Sequence, residues 1–231
     1  MNAQRTEVLH TQQGGSQILL LENGDRLSRH EFERRYTAMP HLKKAELIEG
    51  VVYVPSPVRH KSHGKPHAAI MAWLSHYWIA TPGVDLGDNT TVRLDLDNEP
   101  QPDALLRIES GGRSRLSDDD YIEGAPELIV EIAASSATYD LHDKKRAYRR
   151  NWVQEYIVWQ IFEHKLDWFS LKEGEYVLLP DADGVVQSQV FPGLWLAVPA
   201  LLAGNMVEVL AVLQSGLNSS EHAQFIKFLS Q

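Results

Sequence analysis

The sequence predicts a mixed β-sheet flanked by helices, an α/β or α+β fold. Residues 127–134 form a nearly continuous apolar run that, after the initial Glu127, only Glu131 interrupts, which is typical of a strand buried on both faces. Apolar residues recur at helical spacing through residues 60–79, and Pro82 and Gly83 follow, which predicts a long helix that ends there. Predicted helices and strands do not alternate regularly along the chain, so a doubly wound sheet is not expected.

Turn and capping signals predict the remaining elements. Ser28 and Glu31 match an S-x-x-E capping box, so a helix is expected over residues 29–39. Glu49 and Gly50 predict the turn of a β-hairpin within residues 45–54. Further strands are predicted at residues 84–87, 91–96, 104–108, 155–161, 165–171 and 175–179, a charged helix at 140–151, and a polar loop at 109–120.

Length and composition suit one globular domain. The chain has 231 residues, of which 43% are hydrophobic, enough for a buried core. We predict a flexible polar leader at residues 1–17, the folded domain at 18–204 and a helical C-terminal extension at 205–231. No apolar run approaches the roughly 20 residues that span a bilayer. Because cysteine and a signal-peptide pattern are both absent, the sequence favours the reducing cytoplasm.

The net charge of −9 argues against a surface that binds nucleic acid over its whole area, since basic residues supply most of the affinity for phosphates. Two local clusters are nevertheless basic, at residues 59–67 and 144–150. Each cluster alone is more typical of a solvated helix face. The basic clusters alone therefore do not predict phosphate binding. That function also requires a catalytic or metal-binding site near them.

Glu131 is the strongest candidate for a functional residue. An unpaired carboxylate in a buried strand is costly, so it is expected to meet a cation, either an arginine or a metal ion. Asp103 follows Pro102 at the start of another predicted strand, and Lys144 lies on the next predicted helix. Two carboxylates and a backbone carbonyl, here that of Ile132, are hard ligands suited to Mg²⁺ or Mn²⁺. The pattern predicts a divalent-metal site for hydrolysis of phosphodiester bonds, with a lysine to stabilise charge.

These residues belong to a longer ordered set of motifs. In chain order they are E-L-I-E-G at 46–50, P-S-P at 55–57 with His60, P-D at 102–103, G-A-P-E-L-I-V-E-I at 124–132, D-L at 140–141, Lys144, Tyr148, E-Y at 155–156 and F-P-G-L at 191–194. The set resembles the PD-(D/E)XK nuclease superfamily, and within it a bacterial family of putative restriction endonucleases. The resemblance extends over residues 27–202, most of the chain.

The resemblance implies a restriction-endonuclease-like core, DNA as the substrate, Mg²⁺ or Mn²⁺ as the cofactor and a homodimer that cuts both strands. It assigns Asp103 and Glu131 to metal binding and Lys144 to catalysis. It also assigns Glu46 to support of the metal or of a second water.

The chain departs from the usual superfamily motif in three places, one of which is residues 149–152, where R-R-N-W replaces a small, glycine-containing helix end. Ala133 stands two residues after the second acid, where the motif has its lysine. The family pattern offers Lys144 on the helix as the substitute, and the adjacent Lys145 remains an alternative. The loop at residues 134–138 lacks its usual proline.

Three other functions remain open at this stage. His60, His63 and His67 could bind zinc, but one helix face aligns three such ligands poorly and no H-E-x-x-H pattern occurs. Two carboxylates also occur in glycosidases, although those enzymes need neither the lysine nor the basic clusters. The main alternative is a binding or scaffold protein that keeps the nuclease fold with weak or no cleavage. The net charge and the displaced lysine favour that alternative.

Overall fold

The computed structural model describes residues 18–55, 59–134 and 139–231. The predicted leader, Ser56 and Pro57 of the P-S-P motif, and residues 135–138 of the loop without its proline lie outside the described residues. Within the described ranges, no helix has both the length and the apolar character needed to cross a bilayer.

Short strands and helices follow one another along the described chain, and two of the helices begin with a wider π-helical turn. The elements are α1 (Arg29–Thr37), β1 (Glu46–Ile48), β2 (Val51–Tyr53), a π-helical turn (His60–Gly64) leading into α2 (Lys65–Ala80), β3 (Val84–Asp88), β4 (Val92–Arg93), β5 (Ala104–Ile108), β6 (Ser114–Leu116), β7 (Ile122–Gly124), β8 (Leu128–Ala133), a second π-helical turn (Asp140–Lys144) leading into α3 (Lys145–Arg150), β9 (Glu155–Gln160), β10 (Lys165–Lys172), β11 (Glu175–Leu178), β12 (Asp181–Ala182), β13 (Val185–Gln187), β14 (Trp195–Ala197), α4 (Val198–Leu202), α5 (Met206–Leu217) and α6 (Ser220–Leu229).

A six-stranded mixed sheet lies at the centre, with strand order β11-β10-β9-β8-β5-β3. Its neighbouring strands are antiparallel except β8 and β9, which are parallel. β1 and β2 form a separate hairpin, and two three-stranded sheets lie outside the central one. The prediction of a mixed sheet flanked by helices is confirmed.

The two faces of the central sheet contact different parts of the chain. On one face Val130 and Ile157 join the main hydrophobic core, to which α2 and α5 contribute. On the other face Ile129 packs in a second cluster with Tyr148 of α3. Because side chains alternate along a strand, Glu131 shares the face of Ile129 and is covered by α3.

The β1–β2 hairpin confirms the predicted turn. Glu49 and Gly50 have φ angles of 52° and 72°, and their flanking strands pair Ile48 with Val51. Two successive positive φ angles match the right-handed twist of a two-residue hairpin, and glycine adopts such an angle without strain. The hairpin fixes Glu46 at its first paired position.

Two local predictions were wrong. Ser28 makes no side-chain capping bond, and α1 ends at Thr37. Glu31 instead forms ion pairs with Arg34 and Arg35 at 2.7 Å each, and these charge-assisted bonds replace the capping box. The predicted polar loop at 109–120 contains β6, which pairs with β7. Its polar, partly exposed residues lack the alternation by which a strand is identified from sequence.

The C-terminal helices contact the core. Val209 and Leu213 of α5 are fully buried within the main hydrophobic cluster. His222 of α6 is also buried, and its Nε2 lies 3.0 Å from Thr81 Oγ1. The boundaries drawn at residues 17/18 and 204/205 stay predictions.

The buried Glu99 and the partly exposed Glu33 join α1 to the hairpin. Glu99 exchanges two backbone hydrogen bonds with Leu47 of β1, at 2.7 and 3.1 Å. Its carboxyl group lies near that of Glu33 of α1, and Arg93 Nε lies 2.9 Å from Glu33 Oε1. Burial, and then the carboxyl group of Glu33, raises the pKa of Glu99 to about 8.

We expect Gly216→Ala to lower the free energy of unfolding by at least about 2 kcal/mol. A Cβ atom at Gly216 would lie 2.2 Å from the carbonyl oxygen of Gly193 and 2.8 Å from Trp195 Cγ, so α5 would have to move. Urea denaturation measures the loss. The control is Ser215→Ala, at an exposed position of the same helix. Equal stability of the two variants would contradict the close packing of α5.

Glu99→Gln should reduce the pH dependence of stability. The folded-state pKa of Glu99 is raised from 4.5 to about 8, so the folded protein binds the proton more tightly and loses stability as pH rises across that interval. The free energy of unfolding of the glutamine variant, taken relative to that of the wild type, should therefore be higher at about pH 9 than at about pH 5 by at least about 1 kcal/mol. Denaturant titrations at both pH values test this, with the exposed Glu109→Gln as control. A parallel response of Glu99→Gln and wild type would refute it.

Candidate active site

The four residues singled out from the sequence lie on four different elements and are all buried. Glu46 opens β1, Asp103 directly precedes β5, Glu131 lies within β8, and Lys144 ends the second π-helical turn. Their exposed fractions are only 3–4%. Ionisable groups at that depth need partners, so the contacts between them determine what the site can do.

Lys144 connects three acids. Its Nζ lies 2.9 Å from Glu46 Oε1, 2.9 Å from Glu131 Oε1 and 3.8 Å from Asp140 Oδ1. Tyr148 donates a further hydrogen bond of 2.7 Å to Glu131 Oε1. One ammonium group therefore connects carboxyl groups from the hairpin, the central sheet and its own helix.

Helix geometry explains why Lys144 and not Lys145 reaches the acids. Asp140, Lys144 and Tyr148 follow one another at four-residue spacing and share one side of the helix. Lys145 points elsewhere, with Nζ 3.4 Å from the centre of the Phe169 ring. The helix begins with a π-helical turn, a feature that is frequent at functional sites.

The strand register brings Asp103 beside Glu131. Ala104 of β5 pairs with Val130 of β8, so the next pair in this antiparallel ladder would be Asp103 and Glu131 on one face. The backbone N–H of Ile132 donates to Asp103 Oδ2 at 2.8 Å. Asp103 is therefore tied to the strand that carries the second acid, and Lys144 contacts that acid from the helix.

Two histidines and a lysine surround Asp103, and the histidine contacts were not predicted. His63 Nε2 lies 3.1 Å from Asp103 Oδ1, and His67 Nε2 lies 3.1 Å from the Asp103 carbonyl oxygen. Lys44 Nζ lies 4.0 Å from Asp103 Oδ1. The four-residue spacing of His63 and His67 was the signal in the sequence, since it places both rings on one side of the helix.

The two acids differ in their electrostatic surroundings. Burial raises the pKa of Glu131 to about 8, and the negative charges nearby oppose the effect of Lys144. Burial also favours a higher pKa for Asp103. The hydrogen bond and charge of His63 outweigh burial and hold the pKa of Asp103 below its ordinary value. Burial disfavours the charged form of Lys144 and so lowers its pKa. The acids around it outweigh this effect and raise the pKa of Lys144 well above the usual value; they are Glu131, Glu46 and Asp140. Lys144 therefore stays positively charged.

The side chains present suit a small hard cation. In residues 18–55, 59–134 and 139–231, no three His, Asp or Glu side chains are grouped closely enough to hold a metal ion. Mg²⁺ commonly uses one or two carboxylates and keeps several waters, so a three-residue cluster is not required. The hydroxyl of Tyr139 is buried beside this cluster without a hydrogen-bond partner in the described chain, as expected where a water or ion completes the site.

Comparison with known proteins agrees with this architecture. A crystal structure of a putative nuclease belonging to DUF820 from Anabaena variabilis ATCC 29413 superposes with a TM-score of 0.53 at 13% sequence identity, over 78% of this chain and 97% of that chain. At this identity the similarity concerns the fold alone. No functionally curated protein matches the sequence.

The family resemblance predicted from the motifs is confirmed. The model of the Uma2 family, described as putative restriction endonuclease, matches residues 29–199. That interval is more than half of the chain and contains all four residues of the candidate site. The chain therefore belongs to the Uma2 family of putative restriction endonucleases.

Proposed function

We propose that the protein is a metal-dependent endonuclease that hydrolyses phosphodiester bonds in DNA. The observation that supports this most directly is the cluster of Glu46, Glu131 and Lys144, with Asp103 beside it on the neighbouring strand. The cluster combines oxygen donors for a divalent cation with a fixed positive charge. Membership of the Uma2 family supports the same substrate class.

Each residue has a distinct role in this proposal. Asp103 and Glu131 hold Mg²⁺ or Mn²⁺, which when bound lowers the pKa of a water and offsets negative charge on the phosphate. Tyr148 orients Glu131 through its hydrogen bond of 2.7 Å. Glu46 holds the Lys144 ammonium at 2.9 Å. Lys144 stabilises the negative charge that develops on the phosphate during attack.

We propose that DNA approaches over the basic segment at residues 59–65. Lys61 and Lys65 are exposed there, next to the histidine that contacts Asp103. By contrast, Arg149 and Arg150 of the second basic cluster form ion pairs with Glu175 and Asp95. The first cluster therefore has more charge available for phosphates.

A homodimer is part of the same proposal, because one such site cuts one strand and two sites related by a two-fold axis cut a duplex. A cytoplasmic location is proposed from the absence of cysteine. The homodimer depends on the proposed activity.

One observation favours the second candidate, a nuclease-fold protein that binds DNA but cleaves it weakly. Lys144 already contacts both Glu46 and Glu131 at 2.9 Å, so a metal ion has to compete with an ammonium group for Glu131. Strong competition would leave DNA binding intact and make cleavage slow at physiological metal concentration.

We expect the protein to cleave plasmid, linear or single-stranded DNA in Mg²⁺ or Mn²⁺, and Asp103→Ala to lower the rate at least about 100-fold. Gel assays of the three substrates measure the rate. Asp118→Ala, at an exposed acid outside the cluster, is the matched control. Cleavage by Asp103→Ala at the wild-type rate would overturn the assignment. DNA binding without cleavage in either metal would favour the second candidate.

Millimolar Mn²⁺ should raise the melting temperature of the wild type but not of Glu131→Ala, because a ligand that binds only the folded state stabilises it. Differential scanning calorimetry with and without Mn²⁺ measures the shift. The absence of a shift in the wild type would count against the metal site.

Lys144→Met should lower the free energy of unfolding of the metal-free protein by about 3 kcal/mol or more, because Glu46 and Glu131 would remain buried without their counter-ion. Added Mn²⁺ supplies a replacement charge, so it should raise the melting temperature of this variant more than that of the wild type. Lys145→Met is the matched control, since its ammonium lies against Phe169. A Lys144→Met protein as stable as the wild type would rule out the counter-ion role.

A further inference from the structure

His63 occupies the open side of the site. Its side chain is 23% exposed, while the Asp103 side chain it contacts is only 5% exposed. It lies in the π-helical turn before α2, so its contact with Asp103 joins that helix to the start of β5. The imidazole therefore lies between solvent and one of the two proposed metal-binding acids.

The atoms of this contact are spaced like neighbouring ligands of one cation. His63 Nε2 and Asp103 Oδ1 are 3.1 Å apart. Two ligands at about 2.1 Å from an octahedral ion, placed at right angles, are separated by about 3.0 Å. A cation that replaced the shared proton would keep this separation, and both side chains would turn so that their lone pairs point at the ion.

The other oxygen of Asp103 and the other histidine have different partners. Asp103 Oδ2 accepts the backbone N–H of Ile132, which leaves Oδ1 directed towards His63. His67 Nε2 lies 3.1 Å from the Asp103 carbonyl oxygen and 3.0 Å from Asp88 Oδ1, so it serves as a donor within the protein. Of these two neighbouring imidazoles, the geometry singles out His63.

We propose that His63 is a nitrogen ligand of the metal ion held by Asp103, and that it makes the site prefer Mn²⁺ to Mg²⁺. This inference rests on the proposed metal site and adds the residue that sets its selectivity. Imidazole is a common ligand of transition metals, whereas Mg²⁺ strongly prefers oxygen. Asp103 and His63, completed by waters, form a mixed oxygen and nitrogen ligand set.

The test measures metal binding and the bound nitrogen directly. Calorimetric titration of the full chain with Mn²⁺ and with Mg²⁺ gives the two dissociation constants. Pulsed EPR of bound Mn²⁺ in protein with ¹⁵N-labelled histidine detects a coordinated imidazole. We expect nitrogen coupling in the wild type, its loss in His63→Ala, and a Kd for Mn²⁺ that rises at least about tenfold while the Kd for Mg²⁺ rises less than about threefold.

His67→Ala is the matched control, because it removes an imidazole four residues away on the same side of the helix. It should keep the nitrogen coupling. His63→Gln is a second variant that keeps a polar group beside Asp103 and should also lose the coupling. Circular dichroism of each metal-free variant verifies folding before titration.

The outcomes separate this inference from the proposed function. Mn²⁺ bound by the wild type without nitrogen coupling, or coupling that survives in His63→Ala, overturns the role of His63 and leaves the metal site standing. An equal loss of affinity for Mn²⁺ and Mg²⁺ in both His63 variants overturns the selectivity role. A wild type that binds neither metal overturns the inference together with the metal site.

Discussion

The buried ammonium group of Lys144 is the interaction on which the rest of the site depends. It contacts Glu46 of the hairpin and Glu131 of the central sheet at 2.9 Å each, and it comes from the helix that covers them. Neither acid could be buried at low cost without a cation. The contacts of this one ammonium group with Glu46 and Glu131 therefore hold the hairpin, β8 and the helix of α3 in their relative positions.

The register between β5 and β8 is the second constraint. Their pairing of Ala104 with Val130 sets Asp103 next to Glu131 on the face that α3 covers. A shift of one residue would turn the side chain of one strand to the opposite face, into the main hydrophobic core. The apolar alternation that stabilises the sheet thus also fixes the two acids together.

Some of this arrangement could be predicted from sequence, and the reasons are local. Glu131 could be recognised because a carboxylate interrupts an apolar run, and Lys144 because its spacing from Asp140 and Tyr148 puts all three on one helix side. The contact of His63 with Asp103 spans 40 residues, so the spacing of His63 and His67 indicates a shared side of the helix but does not identify the partner. β6 was missed because its stability comes from pairing with β7 and not from its own residues.

The two acids of the proposed metal site are neutralised in unequal ways, and this decides where a cation would bind first. Glu131 is held by a fully charged lysine and a tyrosine beneath α3. Asp103 is held by a backbone N–H and a partly exposed imidazole, which exchanges its proton for a metal more readily than lysine does. A cation from solvent therefore meets Asp103 and His63 before it competes with Lys144 for Glu131. The net charge of −9 does not oppose this, because a negative charge attracts a cation, whereas the ammonium groups of Lys44 and Lys144 repel one.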